Sequence, residues 1–79
     1  YPNPFNPSTS VTLTVTNADY ITVKVYNLMG QIVGTLADGM MEANIYTFTW
    51  DANDVSSGVY LIKAISSSSI DVQKVLFIK

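Results

Sequence analysis

The residues best suited to chemistry in this chain are two carboxylates and an amide that follow Trp50. Asp51, Asn53 and Asp54 place oxygen atoms within a short segment that leads to Gly58. Two close carboxylates can act as general acid and base, and oxygen ligands suit calcium. Three ligands fall short of the roughly six to eight oxygens that calcium prefers. The segment is therefore a weak calcium candidate, and the simpler interpretation is that its side chains cap loop amides.

Nucleophilic catalysis lacks its usual partners in this sequence. The 79 residues include no histidine and no cysteine, so neither a Ser–His nor a Cys–His pair can form. Disulfides and thiolate metal sites are excluded for the same reason. We therefore expect a protein that is not an enzyme and that needs no cofactor.

The charge and hydropathy of the chain exclude two further classes. Four lysines and six acidic residues give a net charge of −2, and they form no basic stripe of the kind that binds nucleic acid. No run reaches the roughly 18 apolar residues of a transmembrane helix. We expect neither a nucleic-acid partner nor a transmembrane segment.

Apolar side chains alternate with polar ones along most of the chain, which is typical of half-buried strands. Short strands at a spacing of roughly 8–12 residues predict an all-β fold, an Ig-like antiparallel β-sandwich of about seven strands. The predicted core consists of Leu13, Val15, Ile21, Val23, Val25, Leu28, Val33, Leu36, Phe48, Trp50, Tyr60, Ile62 and Leu76.

Three segments between the predicted strands have turn composition. Residues 27–31 predict a turn, followed by a short strand with a bulge near Gly34, because two glycines there disfavour a helix. Residues 38–43 predict a loop with partly exposed methionines, and Ser66–Ser69 predicts a solvated turn.

Two tyrosines are predicted to point outward from one strand. Tyr20 and Tyr26 flank Lys24 on the face opposite the apolar residues. They suit a platform for stacking on sugar rings, and equally cross-strand packing, which is the commoner role of such side chains.

The two ends of the chain differ in stiffness and polarity. All three prolines fall within the first seven residues, which predicts a stiff, extended lead-in over 1–9 before a single sandwich domain over 10–79. The last strand is apolar on both faces at Val75–Ile78 and is flanked by Lys74 and Lys79. It is expected to close the sandwich, and as an edge strand it could also offer its backbone to a partner.

Five segments in register carry a resemblance to a known family. They are the Pro2-Asn3-Pro4 opening, Val25–Gln31, Thr49-Trp50-Asp51, Ser57-Gly58-Val59-Tyr60 and the lysine-tipped apolar end. Together they resemble the type A C-terminal sorting domain of the type IX secretion system. The chain is also similar to the Ig-like domain of flagellar hook-capping proteins.

The resemblance implies a role in protein export. Domains of this family follow a cargo that an N-terminal signal peptide brings to the periplasm of a Gram-negative bacterium. The type IX translocon then carries the cargo across the outer membrane, to the cell surface or the medium. In many members a sortase-like peptidase removes the domain and joins the cargo to the surface.

The family motifs map onto particular residues of this chain. They imply translocon recognition through Pro2, Asn3, Pro4, Gly58, Tyr60, Lys63, Lys74, Val75, Leu76, Phe77, Ile78 and Lys79. The alternative expectation is a passive Ig-like accessory module, either a spacer or a weak glycan binder, of an extracellular multidomain enzyme.

Overall fold

Six strands in two antiparallel sheets make up the computed structural model, which describes residues 8–51 and 55–78. The strands are β1 (Ser8–Val15), β2 (Asp19–Asn27), β3 (Ile32–Met41), β4 (Asn44–Asp51), β5 (Gly58–Ile65) and β6 (Ile70–Phe77). β1 and β4 form a two-stranded sheet, and the other sheet has the order β3-β2-β5-β6. The predicted all-β antiparallel sandwich is confirmed, with six strands among the described residues where about seven were expected.

The core lies between the two sheets, as the alternation of apolar residues requires. Val23 and Val25 of β2 are fully buried, and Ile62 of β5 is 2% exposed. The remaining buried side chains are Val15, Ile21, Trp50, Tyr60, Val75 and Phe77. Four predicted core residues, Leu13, Val33, Leu36 and Phe48, are partly buried and pack against this cluster.

Trp50 connects the two sheets. Its ring meets Tyr60 of β5 edge-on at a centroid distance of 5.1 Å and Phe77 of β6 at 4.7 Å. The indole also lies close to Gly34 of β3, where an added Cβ would come within 3.1 Å of the indole Nε1. A side chain at this position of β3 would therefore crowd the indole.

β3 is longer and less regular than the sequence predicted. The predicted bulge is confirmed, because the pairing with β2 shifts register on both sides of Gly34, skipping Leu36 and Val33. The loop predicted over 38–43 was wrong for its first four residues. They continue β3, since β2 begins at Asp19 and pairs with β3 as far as Met41.

The turn between β2 and β3 is confirmed, but its first apolar residue is not in the core. The Asn27 side-chain oxygen accepts hydrogen bonds from the amides of Met29 and Gln31 at 2.9 and 3.0 Å. Gly30 closes the turn with a φ of 85°, which favours glycine. Leu28 is 70% exposed, so its prediction as a core residue was wrong. The turn carries it past the end of the sheet.

The serine turn between β5 and β6 is confirmed and is tied to the start of β2. The Asp19 carboxylate accepts hydrogen bonds from the Ser67 amide at 3.1 Å and the Ser67 hydroxyl at 2.7 Å. These bonds stabilise the ionised carboxylate, and the Ser67 hydroxyl contributes most to lowering the pKa of Asp19 from 3.8.

Substituting Gly34 tests the contact with Trp50. We expect Gly34→Ala to lower the free energy of unfolding by about 1–3 kcal/mol, because the added methyl group overpacks the indole. Gly39→Ala is the matched control, since a Cβ there meets no atom within 4 Å. Its effect should lie between neutral and about 1 kcal/mol stabilising, because alanine restricts the unfolded chain. Urea denaturation measures both variants, and equal losses would contradict the packing assignment.

The tie between Asp19 and Ser67 predicts a pH dependence of stability. A lowered pKa in the folded state contributes stability that is present above pH 3.8 and is lost as the pH falls through the folded-state value. Asp19→Asn should therefore lose less stability than the native chain on acidification below that pH. Thermal melts across the acid range measure the difference. Ser67→Ala should likewise lose less stability than the native chain on acidification. If the melting temperatures of all three proteins fall equally across the acid range, the bonds between Asp19 and Ser67 do not cause this pH dependence.

Candidate recognition surface

β6 lies at one edge of the four-stranded sheet and pairs on one side with β5. Its side chains alternate between the two faces of the sheet. Val75 and Phe77 are buried beneath the sheet, at 9% and 5% exposure. Leu76 lies on the opposite face and is 62% exposed, and Ile78, the residue after the end of β6, is 74% exposed. The prediction of Leu76 as a core residue was wrong, because the buried face of β6 is the one that carries Val75 and Phe77.

The pairing of β5 with β6 brings two of the family motifs together. Gly58 lies opposite Phe77, and Tyr60 lies opposite Val75. Lys63 lies opposite Val72, two residues before Lys74. The central and terminal motifs therefore form one continuous two-stranded surface, although some ten residues separate Lys63 from Lys74 in the chain.

Tyr60 is a packing residue. It is 6% exposed, its ring contacts those of Trp50 and Phe77, and its hydroxyl donates a 2.6 Å hydrogen bond to the backbone carbonyl of Ser56. This bond fixes the loop that leads into β5. Of the predicted recognition residues, Tyr60, Val75 and Phe77 thus face the core, and a partner of the folded domain cannot touch them directly.

Lys63 occupies the outer face of the four-stranded sheet, which is the face that points away from β1 and β4. Its ammonium nitrogen lies 4.7 Å from the centre of the Tyr26 ring, a cation–π contact. Lys24 is the direct cross-strand neighbour of Lys63. The sequence placed Lys24 and Tyr26 on an outward face but did not reveal that Lys63 joins them, because the register of β2 against β5 is not encoded locally.

Tyr20, the other outward tyrosine, is held at the opposite end of β2. It is 54% exposed, and its hydroxyl donates a hydrogen bond to the Asp38 carboxylate of β3. This bond is the largest cause that raises the pKa of Tyr20 above 10.0, because ionisation would remove the donated hydrogen, and the negative charge of Asp38 raises the pKa further.

The calcium candidate and both ends of the chain are only partly described. Asp51 is exposed at the end of β4, whereas Asn53 and Asp54 lie outside the described residues. Over 8–51 and 55–78, no three acidic side chains come close enough to hold a metal ion. Four of the predicted recognition residues also lie outside the described residues: Pro2, Asn3, Pro4 and Lys79.

A small β-sandwich with exposed apolar side chains on an edge strand is typical of a recognition module. The described residues also contain no helix long and apolar enough to cross a membrane.

Comparison with known families gives the particular assignment. The chain matches the family described as the secretion system C-terminal sorting domain over residues 1–79. It therefore belongs to the family of type IX secretion C-terminal sorting domains. Neither the curated proteins nor the solved structures contain a significant match. The family role is export to the cell surface or the extracellular space, and it is not a catalytic role.

The partly buried hydrogen bond of the Tyr60 hydroxyl predicts a measurable contribution to stability. Tyr60→Phe removes this bond to the Ser56 carbonyl and should cost about 0.5–1.5 kcal/mol. Tyr46→Phe is the matched control, because the Tyr46 hydroxyl donates an exposed 2.7 Å bond to the Glu42 carbonyl, with the same spacing in the chain. Water can replace that bond, so its loss should cost little. Equal costs in urea denaturation would show that burial of the Tyr60 bond adds nothing.

Proposed function

We propose that this chain is a non-catalytic sorting signal that directs an attached cargo across the outer membrane through the type IX translocon. The observation that carries the proposal is the family match over residues 1–79. The edge position of β6 among the described strands supports it, because a strand edge with exposed apolar side chains is a ready site for a partner.

The recognition residues divide into two groups with different roles. Lys63, Lys74, Leu76 and Ile78 point outward, and we propose that they contact the translocon. Gly58, Tyr60, Val75 and Phe77 belong to the same motifs, but they act by holding β5 and β6 in place. Pro2, Asn3, Pro4 and Lys79 stay assigned by the family motif alone.

The proposal also covers the route of the cargo to the outer membrane and the removal of the domain after export. The cargo precedes this domain in the chain and reaches the periplasm of a Gram-negative bacterium first. A sortase-like peptidase then removes the domain and joins the cargo to the cell surface. The division into a proline-rich lead-in over 1–9 and a sandwich domain over 10–79 stays a prediction, and β1 already begins at Ser8, two residues before the predicted domain start.

Two contacts weigh against the glycan-binding alternative. A sugar platform needs a free aromatic face, but the Lys63 ammonium lies over the Tyr26 ring. The Tyr20 hydroxyl is bonded to Asp38, which leaves its ring less free to align with a ligand. If the domain is a glycan-binding accessory module, polysaccharide in a native gel should slow its migration. A sorting signal should migrate equally fast with and without polysaccharide.

A fusion tests the proposed function. The chain is placed at the C-terminus of a periplasm-targeted reporter and expressed in a bacterium with a type IX system and in a strain whose translocon is inactivated. We expect the reporter at the surface or in the medium of the first strain and in the periplasm of the second. A reporter without the chain is the control. Periplasmic retention in both strains, with the domain folded, would overturn the proposal.

A further inference from the structure

Every lysine that the structure describes lies on the outer face of the four-stranded sheet. Lys24 of β2 and Lys63 of β5 are direct cross-strand neighbours, and Lys74 of β6 lies opposite Leu61 on the same face. Among the acidic residues of the described segments, Asp38 alone shares this face, opposite Thr22. Three positive charges and one negative charge leave the face at +2, whereas the whole chain carries −2.

The pair of Lys24 and Lys63 is not explained by folding. Like charges directly opposite each other destabilise an antiparallel pair. The Tyr26 ring engages the Lys63 ammonium at 4.7 Å, but it does not remove the charge. A local arrangement that opposes stability is typical of a functional surface.

Apolar side chains lie among these lysines. Val72 is 54% exposed opposite Lys63, and Ile70 and Leu76 are 66% and 62% exposed on the same strand. The lysines of β2 and β5 therefore lie beside an exposed apolar row on the edge strand β6. Such a surface complements a partner that presents carboxylates next to an apolar patch.

We propose that this outer face, centred on Lys24, Tyr26, Lys63 and Val72, docks onto an acidic, partly apolar protein surface of the export machinery. The inference rests on the proposed function and extends it to Lys24, Tyr26 and Val72, which lie outside the residues assigned to translocon recognition. The recognised surface then extends over the outer face of β2, β5 and β6, and the edge strand β6 forms one border of it.

Charge argues against two other occupants. A second copy of this chain in a two-fold dimer would place the same positive face against itself, and like charges would repel. An anionic lipid surface is read by clusters of roughly four to eight basic residues, more than the three described here.

A charge reversal at Lys24 tests the proposal in the reporter fusion. Lys24→Glu places a carboxylate opposite Lys63, which favours the strand pair, so the domain should keep its melting temperature. The face loses its complementarity, and we expect the exported fraction to fall by about tenfold. Lys24→Arg keeps the charge and should export like the native fusion.

The matched control places the same change of net charge on the other sheet. Thr14→Glu combined with Thr47→Glu also lowers the net charge by two, on exposed outward positions of β1 and β4. We expect native export for this variant. If Lys24→Glu does not fold, Lys24→Gln removes the charge without reversing it and should reduce export in the same direction.

Several outcomes would overturn the inference without touching the proposed function. These are native export of Lys24→Glu, an equal loss with Lys24→Arg, and a loss of the same size in the Thr14 and Thr47 control. Binding of the purified chain to vesicles of phosphatidylglycerol and phosphatidylcholine would assign the face to a lipid surface instead. A concentration-dependent dimer in sedimentation would assign it to a second copy. If the native fusion itself is not exported, the proposed function fails first and the inference falls with it.

Discussion

The packing of Trp50 against Tyr60 and Phe77 is the contact on which the sandwich depends. A two-stranded sheet has to cover a four-stranded one, so few side chains are available to join them. Trp50 supplies a large apolar area from β4 and meets two rings edge-on, at 5.1 and 4.7 Å, a geometry that aromatic pairs favour. Gly34 makes room for it on β3. Without Trp50, β6 would lose the aromatic contact that joins Phe77 to the opposite sheet.

That link lets an edge strand have two roles at once. The inner face of β6 anchors the strand through Val75 and Phe77, and the outer face leaves Leu76 and Ile78 exposed. Proteins usually protect such edges with charge, because free strand edges promote aggregation. Lys74 lies on the exposed face of β6. The apolar side chains that stay exposed are consistent with a strand that is kept accessible for a partner.

Much of the fold could be predicted from the sequence, since period-two patterns locate β1, β2, β4 and β5 and assign their inner faces. Trp50 was placed correctly because it shares a face with Phe48. Leu76 was misplaced because β6 is apolar on both faces, so its pattern does not show which face is inward. The extent of β3 was also missed, because two register shifts interrupt its pattern and Gly39 suggests a loop. The proximity of Lys24 to Lys63 depends on the register of distant strands, which no local pattern contains.

We propose that β6 holds the fold with one face and that the export machinery recognises the other. These two roles are separated by plotting the exported fraction of the reporter fusion against the folded fraction of the domain. Inner-face variants such as Val75→Ala and Phe77→Leu should define a line, because they reduce export only by unfolding the domain. Leu76→Thr on the outer face should fall well below that line while the domain stays folded. If Leu76→Thr lies on the same line, β6 contributes stability alone, and the account of a recognised outer face is wrong.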